Sequence, residues 1–193
     1  MARQKEFNRE EVLQKAMEVF WSRGYGAASI QDLVKHMGIN RQSLYDTFGD
    51  KHGLYLQALD RYRQVEGHRL IELLERPGSV KKSIRQLFGE VVEKALSDCE
   101  HRGCFMSNAT SELAGRCKET ASRTCSNMTA TEEAFYRALV RGAKEGEIKG
   151  VRDPRATARF LYCILQGLVL VAKGRQDRKV LNDVVKVTLS LID

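Results

Sequence analysis

Only two prolines, Pro77 and Pro154, interrupt the 193 residues of this chain. Proline ends helices more sharply than any other residue, because it lacks the backbone donor and its ring clashes with the preceding turn. Punctuation is therefore left to 15 glycines. Both prolines also sit where helices accept them: Pro77 stands in an Arg-Pro-Gly-Ser break, and Pro154 follows Asp153 at a favoured first helical position. An all-α chain is expected. With 42% hydrophobic and 30% charged residues it has the composition of a globular protein with a real core. The first six residues hold no apolar segment. The longest apolar run, near Phe160 to Ala172, is broken by Gln166 and falls short of the roughly 20 residues of a membrane span. A cytoplasmic protein without a membrane partner is expected. Five cysteines, an odd number in no compact framework, point to reduced thiols.

Apolar spacing places the helices. Asn8 followed by Glu11 is a capping pattern, and Val12, Leu13, Ala16, Val19 and Phe20 form one helical face behind it. This first helix is expected over about Arg9 to Arg23, stopped by Gly24-Tyr25-Gly26. Ser29 caps a short second helix ending at Gly38, with Ile30, Leu33, Val34 and Met37 inward. Asn40 caps a third, in which Leu44 and Phe48 bury one side and leave Arg41, Gln42, Tyr45 and Asp46 on the other. A long helix follows Gly49-Asp50 and runs to Arg76, and a fifth follows Ser79 to about Ser97. Two or three helices are expected between Cys104 and Lys144. Two strongly apolar helices close the chain, one from Pro154 through Ala172 and one from Val180 through Leu191. The plan is about nine helices: a three-helix head over residues 1–49 and a larger helical body over residues 50–193.

Two short helices joined at Gly38, the second polar outside, have the form of a helix-turn-helix, whose second helix enters the DNA major groove. Gly24-Tyr25, Ser29-Ile30, Asp32-Leu33 and above all the run from Gly38 to Lys51 (GINRQSLYDTFGDK) resemble the DNA-binding signature of TetR-type transcriptional regulators. The resemblance covers about a quarter of the chain. It implies a homodimeric repressor on double-stranded operator DNA, with a C-terminal body that binds a small inducer. It further implies that Ser29 meets a phosphate, that Asn40, Arg41, Ser43, Tyr45 and Thr47 share base and phosphate contacts, and that Lys51 meets a phosphate. Arg41 suits a bidentate guanine contact and Gln42 an adenine contact. Arg3 and Lys5 form a basic arm for the backbone or minor groove. At Asp46 and Thr47 the chain departs from the common pattern of His and Tyr. Asp46 repels phosphate unless it pairs with Arg41 or accepts from cytosine.

The net charge of +7 does not mark the reading head. Residues 1–50 carry seven basic and seven acidic side chains, whereas residues 151–193 carry eight and four. The last two helices, the most apolar, are expected to pair with their twins as a four-helix dimer bundle. Phe88, Val92, Phe105, Asn108, Met128, Phe135 and Tyr136 are expected to line the ligand pocket, with Met106 beside them, although periodicity does not separate pocket from core. Cys99, Cys104, Cys117 and Cys125 cluster near His101 and Arg102, and a helix start with nearby cations favours thiolate. Cys104 is therefore the candidate thiol sensor, in a segment from Gly103 to Ala114 that resembles one found in a TetR subgroup with stress-responsive members. The alternative, that these thiols are small buried packing residues, stays open, and Cys163 is expected to be packing. Cys99, His101 and Cys104 offer soft metal ligands without a standard zinc spacing. A thiol enzyme using Cys104 and His101 lacks a third orienting residue, and a helical adaptor has no need of Arg41 or Gln42 outside. No enzyme activity, catalytic set, metal site or cofactor is expected.

Overall fold

Four polar side chains start the first four helices in the computed structural model, which describes residues 7–193. Asn8 accepts from the Glu10 and Glu11 amides ahead of α1 (Arg9–Ala27). Ser29 and Asp32 form a reciprocal capping box at α2 (Ile30–Met37). Asn40 accepts from the Ser43 amide at 2.8 Å to start α3 (Arg41–Phe48), and Asp50 from the Gly53 amide at 2.7 Å to start α4 (Lys51–Tyr62). Gly38, at φ 70°, makes the left-handed turn that lets α2 and α3 follow one another so closely.

A π-helical turn, Arg63–Gly67, carries α4 directly into α5 (His68–Glu75), so the two form one rod. Ser79 caps α6 (Val80–Ser97), and Cys104 stands before α7 (Phe105–Ala109), which a second π turn extends through Ala114. The body is completed by α8 (Lys118–Lys144), α9 (Pro154–Gly174) and α10 (Arg178–Ser190). Among the described residues the molecule is all-α, in nine rods, with Pro154 in the first turn of α9 as expected.

Two apolar cores organise it. Phe20 of α1, Leu33 and Met37 of α2, Leu44 and Phe48 of α3 and Leu54 to Tyr62 of α4 form the first, which also takes Phe105 and Met106 from α7. The second packs Leu74, Ile84, Phe88, Phe135, Leu161, Leu165 and Leu181. The rod of α4 and α5 passes from one core to the other.

One expectation holds and one changes. The first helix breaks after Arg23, where Gly24 takes a non-helical φ of 78° and ψ of 170°, and Tyr25 to Ala27 follow as a short turn beyond the kink. The freed amides of Tyr25 and Gly26 donate to the carboxylate of Glu112 at 2.9 and 2.6 Å, a partner 86 residues or more away. The apolar run near Phe160 belongs to a 21-residue helix, α9, long and apolar enough by length and composition to cross a membrane. Only its inner side is buried, at Ala158, Leu161, Leu165, Leu168 and Ala172. Phe160, Leu170 and Val171 face outward, with Val184 and Val187 of α10 and Leu191 at its C-cap also exposed.

Candidate DNA-reading helix and ligand cavity

The spacing of Leu44 and Phe48 fixes what α3 shows to solvent. Both are buried, which turns Arg41, Gln42, Tyr45 and Asp46 outward; Tyr45 is 41% exposed despite its ring. Asn40 and Ser43 stand at the start of the same helix, Ser43 half-buried with its amide held by the Asn40 side chain. Lys51 lies just beyond, its ammonium 4.5 Å over the Tyr25 ring, which holds it against the head. Ser29 is exposed, and its hydroxyl is committed to Asp32 within the capping box.

Three of the expected contact residues have surroundings that periodicity does not show. Asp46 accepts from the Gln42 amide at 2.8 Å, so its charge is met by Gln42 rather than by Arg41. Thr47 is half-buried, its hydroxyl enclosed and unpaired, unlike the outward side chains around it. Arg3 and Lys5 lie outside the described residues.

The second feature is a cavity of about 1030 Å³ between the α4–α5 rod, α6, α8, α9 and the loop that precedes α7. Its wall is mixed. Leu70, Leu73, Leu87, Val91, Leu165 and Val169 supply much of the apolar part, while Glu66, Arg69, Glu90, Lys94, Gln166 and Lys173 are among many polar and charged residues on the rest. Such a lining suits a small organic molecule with an apolar body and polar or charged groups.

None of the expected pocket residues lines this cavity, whereas Cys104, the expected thiol sensor, does. Phe88, Val92 and Phe135 are packed into the second core and Phe105 into the first, with Met106 beside it. Met128 is exposed, and Tyr136 lies under the Arg155 guanidinium at 3.6 Å. Asn108 holds the cavity loop from behind, donating to the Arg102 carbonyl at 2.8 Å and accepting from the Lys173 ammonium at 3.1 Å. The reason is rotation by about one residue: on α6 the neighbours Leu87 and Val91 meet the space, while Phe88 and Val92 fill the core.

Two aromatic residues on the cavity wall belong to the other core. Trp21 of α1 and Tyr62 of α4 reach it from the first core. The Trp21 indole donates to the Gly103 carbonyl at 3.0 Å, and the Arg102 guanidinium lies 4.5 Å over its ring. Lys94, 5.6 Å from the same ring, pairs with Glu66 at 2.6 Å. Burial first, then the adjacent Cys104, push the Tyr62 phenol well above its ordinary range. Burial likewise pushes Tyr162 to about 12, with Cys104 and Cys163 adding to it. Cys104 thus sits among phenols. Arg102, expected to act on its thiol, is committed to Asp98, Glu100 and the Trp21 ring.

None of the five free cysteines is fully buried. Cys104 and Cys117 are half-buried, with Cys104 packed against the first core, whereas Cys99, Cys125 and Cys163 are exposed in the single chain, Cys163 on the outer side of α9.

Residues 12–58 match the family model described as bacterial regulatory proteins, tetR family, and residues 81–188 match the tetracyclin repressor-like C-terminal domain. The chain is 41% identical over 195 residues to the HTH-type transcriptional regulator YezE of Bacillus subtilis, covering 100% of both. The chain belongs to the TetR family. It is likewise 32% identical over 191 residues to the repressor ComR of Escherichia coli, covering 98% of this chain and 90% of ComR. Among solved structures, a cysteine mutant of the TetR family regulator CifR complexed with 26-base-pair operator DNA superposes at a TM-score of 0.85. The identity there is 32%, over 99% of this chain and 100% of that one.

This TetR-family chain is a helix-turn-helix transcriptional regulator and not an enzyme, so the thiol-enzyme reading of Cys104 and His101 falls, and so does the adaptor reading. Sequence reasoning missed Trp21, Tyr62, Lys94, Gln166 and Lys173 as cavity residues. The only signal available was that Trp21, the single tryptophan, ends the apolar stripe of a head helix without being needed for its period.

Proposed function

We propose that the protein is a homodimeric transcriptional repressor that binds double-stranded operator DNA through α3 and is released when a small molecule occupies the cavity or Cys104 is modified. In this reading residues 1–49 are the DNA-reading head and residues 50–193 the ligand-binding and dimerising body, working in the cytoplasm. The relatives named as repressors, and the operator bound by CifR, support the DNA half of it.

Arg41 takes the bidentate guanine contact, with Tyr45 and Gln42 beside it, once Gln42 gives up Asp46. Asn40, Ser43 and Lys51 hold the phosphates, Ser29 offers the start of α2, and Arg3 and Lys5 extend the contact along the duplex. Thr47 contributes a base contact only if its enclosed hydroxyl turns outward.

Two heads are needed, and the outward apolar residues of α9 and α10 supply a self-complementary surface for a second copy. Leu170 and Val187 are 70% and 66% exposed in the single chain. Half-sites one groove repeat apart, about 34 Å, must be met by both heads at once, so a small change in head separation costs both contacts.

The observation that carries the regulatory half is Trp21, a residue of the first core whose side chain forms cavity wall. A molecule entering beside Trp21 and Tyr62 presses on α1 and α4 directly. Alkylation or oxidation of the Cys104 thiol adds bulk at the same wall.

The test is selection of bound DNA from a random pool, followed by release trials with small apolar compounds, electrophiles and thiol oxidants. A palindromic operator that is bound by the dimer and released by one of these agents is expected. Recovery of no preferred sequence overturns the repressor reading. If Cys104→Ser is released by oxidants as readily as the parent, thiol modification at Cys104 is not the switch.

A further inference from the structure

We infer that His52, Cys117 and Glu119 form a binding site for a zinc-type divalent cation, joining the first turn of α4 to the first turn of α8. The three residues come from two elements far apart in sequence, and their donor atoms all lie within 4.8 Å of one another. None of them lines the cavity.

Both separations from the sulfur are those of ligands around a tetrahedral ion. With zinc–sulfur at about 2.3 Å and zinc–nitrogen or zinc–oxygen near 2.1 Å, tetrahedral angles put sulfur about 3.6 Å from each of the other donors. Here the Cys117 sulfur stands 3.5 Å from His52 Nε2 and 3.4 Å from Glu119 Oε2. One thiolate, one imidazole and one carboxylate make a mixed set of intermediate softness, which suits zinc better than calcium or magnesium. Solvent is left to fill the fourth position.

Cys117 is also prepared as a ligand. It occupies the N-cap of the 27-residue α8, a place where Ser, Thr, Asp and Asn are preferred. Its sulfur accepts from the Thr120 amide at 3.4 Å and the Thr120 hydroxyl at 3.3 Å. These two donors hold the sulfur in place at the start of α8, on the side that faces His52. The His52 ring is held edge-on to Tyr25, with centroids 6.0 Å apart, which fixes its plane toward Cys117. A cation there ties the start of α8 to the start of α4, beside Lys51 and just past the end of α3.

The experiment is titration of the reduced, chelator-treated full-length protein with Co²⁺, followed by competition with Zn²⁺. One Co²⁺ per chain is expected, with thiolate-to-cobalt absorption in the near ultraviolet, four-coordinate visible bands and displacement by Zn²⁺. Cys117→Ser keeps a preferred cap residue, and His52→Gln changes a half-buried side chain, so both retain the fold, checked by circular dichroism. Each is expected to weaken Co²⁺ by more than the roughly 10- to 100-fold lost with an outer-shell partner, whereas Cys99→Ser and Cys104→Ser keep the bands. Absence of thiolate-to-cobalt absorption in the parent overturns the site, and so do undiminished bands in Cys117→Ser.

Discussion

The Trp21 indole N–H donates to the carbonyl of Gly103 at 3.0 Å, joining the first helix to the loop that leads into Cys104, 82 residues away. Gly103 takes a positive φ of 69°, and its amide donates to Asp98, so both backbone polar groups of Gly103 are engaged. The ring above it carries Arg102 and faces the cavity. Trp21 thus belongs both to the first core and to the cavity wall.

Trp21→Phe keeps a ring against Arg102 and removes the donor. About 1 kcal/mol of stability is expected to be lost, with the Gly103 carbonyl left unpaired. Operator release by a cavity ligand should need a higher concentration than in the parent. Thermal unfolding and operator anisotropy report both.

Arg41→Ala and Tyr45→Ala remove exposed side chains of α3 without touching Leu44 or Phe48. A lost base contact of about 1–3 kcal/mol corresponds to roughly 5- to 150-fold weaker operator binding. Unfolding temperature and dimer mass should stay at the parental values. Anisotropy titration against the selected operator, beside light scattering, checks the separation.

Leu170→Glu and Val187→Glu place a charge on the outer face of α9 or α10. The folded chain is expected to remain, as both side chains are mostly exposed, while the dimer dissociates. Analytical ultracentrifugation should show a monomer, and operator affinity should fall with it because one head reads only one half-site.

Asp98 holds the loop beneath Trp21. Burial raises its carboxyl, but the Gly103 amide and the Arg102 guanidinium outweigh that, and its folded value lies below the ordinary 3.8. Its charge therefore stabilises the fold above pH 3.8, and that contribution is lost as the pH falls through the lowered folded value. Asp98→Asn should be less stable than the parent at pH 7, and the gap should close below pH 3.8. Urea midpoints at pH 7 and pH 3 measure it.

What the sequence made legible is what local chemistry decides. Asn8, Ser29, Asn40 and Asp50 sit one residue before their helices because a side-chain oxygen must meet amides that lack partners, a requirement settled within four residues. The outward set on α3 followed from Leu44 and Phe48 alone. The cavity was not legible, because nothing in a helical stripe tells a residue that packs from one that borders a space. Phe88 and Leu87 are neighbours on α6, and the splay of α4, α5, α8 and α9 decides which of them meets the void. Nor does periodicity reach the Glu112 carboxylate that closes the end of α1, or Cys117 beside His52, since both depend on how two distant elements dock.

The most direct measurement of coupling between cavity and head uses Trp21 itself, the single tryptophan, as the reporter. A small apolar compound that changes Trp21 fluorescence is titrated against the free protein and the operator complex, and the operator is titrated with and without that compound. Linkage requires the two affinity ratios to be equal, and for a functional inducer they are expected to lie at about 5- to 150-fold. A compound that fills the cavity and leaves operator affinity unchanged would contradict the account.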